Sequence, residues 1–204
     1  MNRIIQLDVA KAICIILVVI GHYIPNNAPT WYVIIHDIIY SFHMPLFMFA
    51  SGYIYIATKK EDTFGTFIAK KFKRLMIPYF TTSIIIITIK LLTQGNLNID
   101  NPVTSISYIK MFYLPEAGYF LWFIWALWWM FVIIPLIKYK KSRITFFFIS
   151  LIIHFLPIHL PKEFCFDQCK NMLVFFMFGI LSYENKWLNK IIHYCPLKMD
   201  KVKN

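Results

Sequence analysis

Leu7-Asp-Val-Ala-Lys-Ala-Ile-Cys-Ile-Ile-Leu-Val-Val-Ile-Gly-His-Tyr-Ile24 is the stretch on which the reading of this chain turns. It is apolar apart from Asp8, Lys11 and His22. The hydrocarbon core of a bilayer is ~30 Å thick and is crossed by about 20 mostly apolar helical residues. A run of this length and character therefore reads as a membrane-spanning helix. No small-residue cleavage site of the Ala-x-Ala kind follows Val9–Ile24, so the run reads as a retained first helix and not as a signal peptide.

Outward from that run, the same pattern recurs. Apolar stretches suited to spanning helices cover Tyr32 to Thr58, Leu75 to Leu92, Tyr119 to Ile137, Ile144 to Leu160 and Met172 to Tyr183. The whole chain is 59% hydrophobic and 19% aromatic, against ~45–50% apolar for a soluble domain. These features predict an all-α, polytopic transmembrane bundle of about six helices, forming one domain over residues 1–204. In the basic connection Lys59–Arg74, Phe64, Phe67, Ile68 and Phe72 recur at helical spacing among lysines, a pattern that suits an amphipathic helix on the membrane surface.

The net charge is +11, and its distribution matters more than its size. Sixteen Lys and Arg fall on one side of the expected stack, at Arg3, in Lys59–Arg74, in Lys138–Arg143 and from Lys186 onward. The other side has three, Lys110, Lys162 and Lys170. Cytoplasmic loops carry the basic excess, so both termini are expected in the cytoplasm and the chain in the cell (inner) membrane. The clusters suit anionic lipid headgroups. Without a groove-reading motif they do not indicate nucleic acid.

Cys165 and Cys169 share a loop at a spacing that suggests no metal site, since no further ligands lie nearby. A disulfide between them would need an oxidising compartment.

Ionisable residues inside membrane segments cost at least ~2.5–3.5 kcal/mol on insertion scales and are functional candidates by default. Helix 1 has Asp8, Lys11 and His22; helix 2 has His36, Asp37 and His43; His154 and His159 lie in helix 5. Asp8 and Lys11 can pair across one helical turn, or simply cap and snorkel. His22 lies roughly 21 Å along the helix from Asp8, too far to form a dyad with it. It follows Gly21, which permits close approach, but a histidine there also serves as a polar anchor. In helix 2, Pro45 removes one backbone hydrogen bond, and Ser51 and Gly52 permit close helix packing.

Several of these residues together form a pattern. Arg3-x4-Asp8-x2-Lys11 followed by Gly21-His22, then Phe42-His-Met-Pro-Leu-Phe47 with Ser51-Gly52-Tyr53, then Lys73-Arg74-Leu-Met-Ile-Pro78-Tyr79, Leu121-Trp-Phe-Ile-Trp-Ala-Leu127 and Phe175-Phe-Met-Phe-Gly179 occur in that order. The chain resembles the membrane-bound acyltransferase family 3, whose better-known members O-acetylate bacterial surface polysaccharides. Members usually run longer and add helices beyond the sixth, so the resemblance implies a C-terminally truncated domain, with a partner as one source of the missing helices.

The resemblance implies transfer of an acyl group, acetyl above all, from acyl-CoA (acetyl-CoA) to a carbohydrate hydroxyl, with no metal. His22 would be the general base; a histidine with an unperturbed pKa near ~6.5 suits that task near neutral pH. Arg74 would hold CoA phosphates with its planar fork, although a plain topology charge is the alternative. Arg3 and Asp8 would brace the cytoplasmic mouth, and His43 and Ser51 would line the substrate pocket. The other reading is a non-catalytic membrane protein, either a glycan transporter or an inactive acyltransferase fragment.

Overall fold

The computed structural model describes residues 5–21, 28–59, 62–96, 99 and 101–187; within the first helix the side chains of 5–8, 10, 11, 15 and 19 fall outside that description. Among the described residues there are six long helices and one short one: α1 (Ile5–Gly21), α2 (Thr30–Ala57), α3 (Phe64–Thr93), the short α4 (Ser107–Lys110), α5 (Trp122–Ile133), α6 (Lys140–Phe155) and α7 (Phe166–Glu184). Single 3-10 turns extend α5 at both ends and lead into α7. No strand occurs among the described residues.

Among the described residues, four segments are long and apolar enough to cross a membrane: Thr30–Ala57, Phe64–Thr93, Tyr119–Leu136 and Glu163–Glu184. Large apolar side chains face outward on α1 (Val9, Ile13, Ile16, Ile20), α3 (Ile77, Ile84, Ile85, Ile89) and α6 (Phe148, Ile149, Ile152). Water would not tolerate so much exposed hydrocarbon, whereas lipid is as apolar as these side chains. The chain is a helical membrane protein.

The separate surface helix expected over Lys59–Arg74 does not form. Its residues from Phe64 onward are the first turns of α3, which runs unbroken for 30 residues. At 1.5 Å per residue that is ~45 Å, more than the ~30 Å hydrocarbon core, so the basic turns project beyond it. Thr63 caps the helix by accepting from the Thr66 N–H, and after Gly65 in the first turn no Gly or Pro interrupts the helix until Pro78. Two further boundaries move. The Ile144–Leu160 helix ends at Phe155, and the helix expected from Met172 starts at Phe166, so Cys169 and Lys170 are helical. Cys165 and Cys169 are both buried and free, not bridged.

α7 is the central element, packed against α2, α5 and α6, while α1 lies on α2 and α3 on α5. One core lies between α2, α5 and α7, built from Met44, Met48, Met130, Phe131, Phe176 and Ile180. A second joins α3, the 103–118 loop and α5 through Met76, Tyr79, Met111, Leu121 and Trp125. At one end, Arg143 on α6 forms an ion pair with Glu184 on α7 and donates to the Ile137 and Lys138 carbonyls at 3.1 and 2.8 Å. This end also carries Lys59, Lys70, Lys71, Lys73 and Arg74 and is the basic end; α1 and α3 finish at the far end.

α2 and α7 pack glycine on backbone. A Cβ on Gly52 of α2 would lie 2.0 Å from the Phe176 carbonyl oxygen of α7, and one on Gly179 would lie 2.1 Å from the Phe49 carbonyl oxygen. Neither neighbour can yield, because both are helix backbone. Gly52→Ala and Gly179→Ala are each expected to force the helices apart, at an overpacking cost of about 1–3 kcal/mol. In detergent this should lower the melting temperature and the monodisperse yield. Gly65→Ala, where a Cβ meets nothing within 4 Å, should be neutral or slightly stabilising by helix propensity.

Candidate functional site

Among the described residues, cavities interrupt the packing at both ends; three bear on function, one at the basic end and two at the far end. The basic cavity, about 320 Å³, is lined by Tyr55, Thr58 and Lys59 from the end of α2, and by Asp62, Phe67, Lys70, Lys71 and Arg74. It forms because α2 ends just where the amphipathic start of α3 begins, so the lysine-rich turns close over a gap with an aromatic floor. Lys70 is committed to Asp62, reaching both carboxylate oxygens at 2.9 Å. Lys71 lies 3.8 Å over the Phe131 ring, a cation–π geometry. Pro78 has no N–H, so the Arg74 carbonyl loses its usual helical partner. The cavity has a surplus of positive charge and suits a phosphorylated ligand.

The second cavity, about 270 Å³, lies toward the far end between α1, α2, α5 and α7. Val18, Tyr40, Ser41, His43, Met44 and Pro45 form one side, with Tyr119, Phe120, Trp122, Phe123, Gln168 and Met172 opposite. His43 is 2% exposed, and its Nδ1–H donates to the Ile39 carbonyl at 2.7 Å. A carbonyl only accepts, so the bond selects the tautomer. Neutral His43 then carries its lone pair on Nε2. Pro45 withholds an N–H from the Ser41 carbonyl in the same wall.

Three rings on α2 continue this wall: His36 stacks on Tyr40 at 4.5 Å between centroids, and Tyr40 meets His43 edge-on at 5.1 Å. His36 Nε2–H donates to the Gly21 carbonyl at 2.9 Å, tying the end of α1 to α2. Gly21 itself is buried against Tyr40.

The third and largest cavity, about 560 Å³, opens at the far end between the 114–119 segment and the start of α7. Its lining includes Glu116, Tyr119, His159, Lys162, Cys165, Asp167 and Gln168. α7 begins under strain here. Phe164 and Cys165 both adopt left-handed backbone, with φ of 55° and 56°, a cost of order 1–3 kcal/mol each for such residues. Neighbours enforce it: Phe164 N–H donates to the Tyr113 carbonyl at 2.6 Å, and Trp129 Nε1–H donates to the Phe164 carbonyl at 3.1 Å.

Of the residues singled out from the sequence, His43 lines the second cavity and Arg74 the basic one. Ser51 is buried with no hydrogen-bond partner for its Oγ and is not among the residues lining these three cavities. His22 and Arg3 lie outside the described residues, as does the Asp8 side chain. His43 and Arg74 are not brought together. From His43 to Tyr55, in the basic cavity, is twelve residues of α2, or ~18 Å. Tyr40, Tyr119 and Gln168 were not marked by the sequence. Tyr40 could have been found as the helical neighbour of His36 and His43, whereas nothing local distinguishes Gln168. Among the described residues, no group of three or more His, Cys, Asp or Glu is placed to hold a metal ion.

A helical membrane protein with a basic cavity at one end and a histidine-lined cavity toward the other is the class that fold and site define. The acyltransferase 3 family model, described as an acyltransferase domain, matches residues 4–193, and the chain belongs to that family. Over 95 residues it is 38% identical to nodulation protein NolL of Sinorhizobium fredii (strain NBRC 101917 / NGR234), covering 44% of this chain and 26% of that protein. Over 94 residues it is 33% identical to nodulation protein NolL of Mesorhizobium japonicum (strain LMG 29417 / CECT 9101 / MAFF 303099), covering 44% and 25%. The matched stretches thus span about a quarter of the length of these curated relatives. No solved structure matches the chain.

The far-end cavity depends on one buried tyrosine. Tyr79 on α3 is fully buried, and its hydroxyl lies 2.8 Å from the Met111 carbonyl and 3.1 Å from that of Leu114, pinning the loop that forms the cavity wall. Tyr79→Phe removes the donor and is expected to cost about 1–3 kcal/mol. Limited proteolysis should cut the 104–118 segment sooner in the variant, with α5 and α7 still protected.

Proposed function

We propose that this protein transfers an acyl group, acetyl above all, from acyl-CoA at the cytoplasmic face to a hydroxyl of a carbohydrate. The observation that carries the reading is the separation of chemistry along one bundle: a basic cavity with Arg74 at one end and a histidine-lined cavity toward the other. Family membership supports acyl transfer, and the resemblance supports the carbohydrate acceptor. Arg74 binds donor phosphates, with Arg3 and Asp8 bracing the mouth. The pantetheine arm spans the gap along α2, so the thioester reaches the histidine cavity. The acceptor hydroxyl oxygen attacks the thioester carbonyl carbon while the base takes its proton. The C–S bond then breaks, and the CoA thiolate leaves and is protonated.

The resemblance assigns the base to His22. His43 is the second reading, favoured by its place in the cavity wall and by the Ile39 bond that leaves Nε2 to act as base. A positioned base contributes about 10²–10⁴ in rate. His22→Ala and His22→Gln should both lose acyl transfer by that order while membrane abundance is unchanged. Near-normal transfer by His22→Gln together with loss in His43→Gln would move the role to His43. Arg74→Ala should weaken acetyl-CoA binding, Arg74→Lys should be intermediate because charge remains without the fork, and Lys141→Ala should have little effect. Equal effects at Arg74 and Lys141 would reduce the contribution to generic charge.

The orientation rests on the basic asymmetry and has its own check. Single cysteines at Lys141 and at Ile106, both exposed, should label from inside and outside respectively in a background without native cysteines. Labelling of the Ile106 position only after membrane disruption would invert the topology.

A further inference from the structure

The two far-end cavities share two residues, Tyr119 and Gln168. These are bonded to each other, Gln168 Nε2 donating to the Tyr119 hydroxyl at 3.2 Å. The pair is therefore a septum between the 560 Å³ cavity and the 270 Å³ cavity that holds His43. Gln168 Oε1 is buried and has no hydrogen-bond partner. If the amide were turned over, Tyr119 would donate to its oxygen and the NH₂ would be left alone. In either orientation one end of the amide is unsatisfied, and a buried polar group left so costs about 1–3 kcal/mol.

The surroundings narrow the ligand. The outer cavity falls within the ~300–1,000 Å³ typical of small-molecule sites. Both carboxylates in its lining are already paired: Glu116 meets Lys110 at 3.6 Å and the Ser107 hydroxyl at 3.3 Å, while Asp167 meets Lys170 at 3.6 Å and the Leu160 N–H at 3.3 Å; the lining also holds the exposed Lys162. With both carboxylates engaged and an exposed lysine that can donate to a hydroxyl, such a lining does not select a cation. It offers an exposed tyrosine ring, 66% accessible, and an amide with one open valence. A neutral sugar matches both, with an apolar C–H face for the ring and hydroxyls that donate or accept as the amide requires. We propose that the outer cavity is the acceptor's sugar subsite and that Gln168 is the specificity-determining residue, bonding one acceptor hydroxyl beside the histidine cavity. This rests on the carbohydrate reading above.

The test separates sugar binding from turnover. The full chain, purified in nanodiscs, is titrated with methyl α-glucoside, methyl α-galactoside and methyl 2-deoxy-α-glucoside, read by tryptophan fluorescence. Acetyl-CoA binding and melting temperature serve as folding controls. Wild type is expected to discriminate among the three glycosides. Gln168→Leu should weaken the preferred one about tenfold, the loss of one net hydrogen bond, and should level the preference, with acetyl-CoA binding unchanged. Tyr119→Phe keeps the ring and removes the septum bond. It should weaken binding by a smaller factor and serves if Gln168→Leu does not accumulate. Absence of saturable glycoside binding by wild type overturns the subsite. Unchanged discrimination in folded Gln168→Leu overturns the role of Gln168, as does unchanged discrimination in Tyr119→Phe should that variant alone accumulate. Discriminating binding without acyl transfer upholds the subsite and counts against the transferase reading alone.

Discussion

α2 and α7 touch through Gly52 and Gly179, and the remaining geometry follows from how near those two backbones lie. In lipid there is no hydrophobic gain from pressing one apolar helix on another, so association depends on close packing and on small residues that allow it. Both glycines face carbonyl oxygens of the partner helix. The two helices run in the same direction, each beginning at the far end. From Gly52 back to His43 is nine residues, and from Gly179 back to Gln168 eleven, or ~14 and ~17 Å of rise. A contact deep in the bundle thus sets which residues face each other across the histidine cavity.

Proline works with those glycines. Pro45 and Pro78 each stand inside a long helix and border a cavity or its lining. Each frees a carbonyl four residues earlier, at Ser41 and at Arg74. Polar backbone at membrane depth is tolerated where it lines a cavity, and here the freed carbonyls belong to cavity-lining residues at opposite ends. The same economy explains the threonines of α3. Thr81, Thr88 and Thr93 turn their hydroxyls back to the carbonyls of Ile77, Ile84 and Ile89, so each hydroxyl finds an acceptor on its own helix.

The helices were legible because length and hydropathy are one-dimensional properties. Where boundaries moved, the cause was continuity. Lys59–Arg74 reads as a surface helix by its alternation of lysine and phenylalanine, but helix propagation costs less than starting a new helix, and no Gly or Pro lies between Thr66 and Leu75. His43 and Arg74 stood out as polar residues beside apolar runs, and both line cavities. Ser51, read with Gly52 as a packing residue and put in the pocket by the resemblance, is buried away from those three cavities, because its helix face is given to packing. Tyr119 and Gln168 carried no such signal; they are 49 residues apart and meet only in the fold.

By itself the sequence determined that the chain is a helical membrane protein, which runs form its long helices, where its basic charge collects and that histidines lie in helix 2, since each of these follows from local composition and helical rise. Only the tertiary structure decided that Gly52 and Gly179 bring α2 and α7 to backbone contact, that His43 and Arg74 serve separate cavities, and that Tyr119 and Gln168 divide the far-end space in two. Those facts depend on which faces meet and how closely, and that is set by side-chain volume summed over several helices, a quantity no single segment contains.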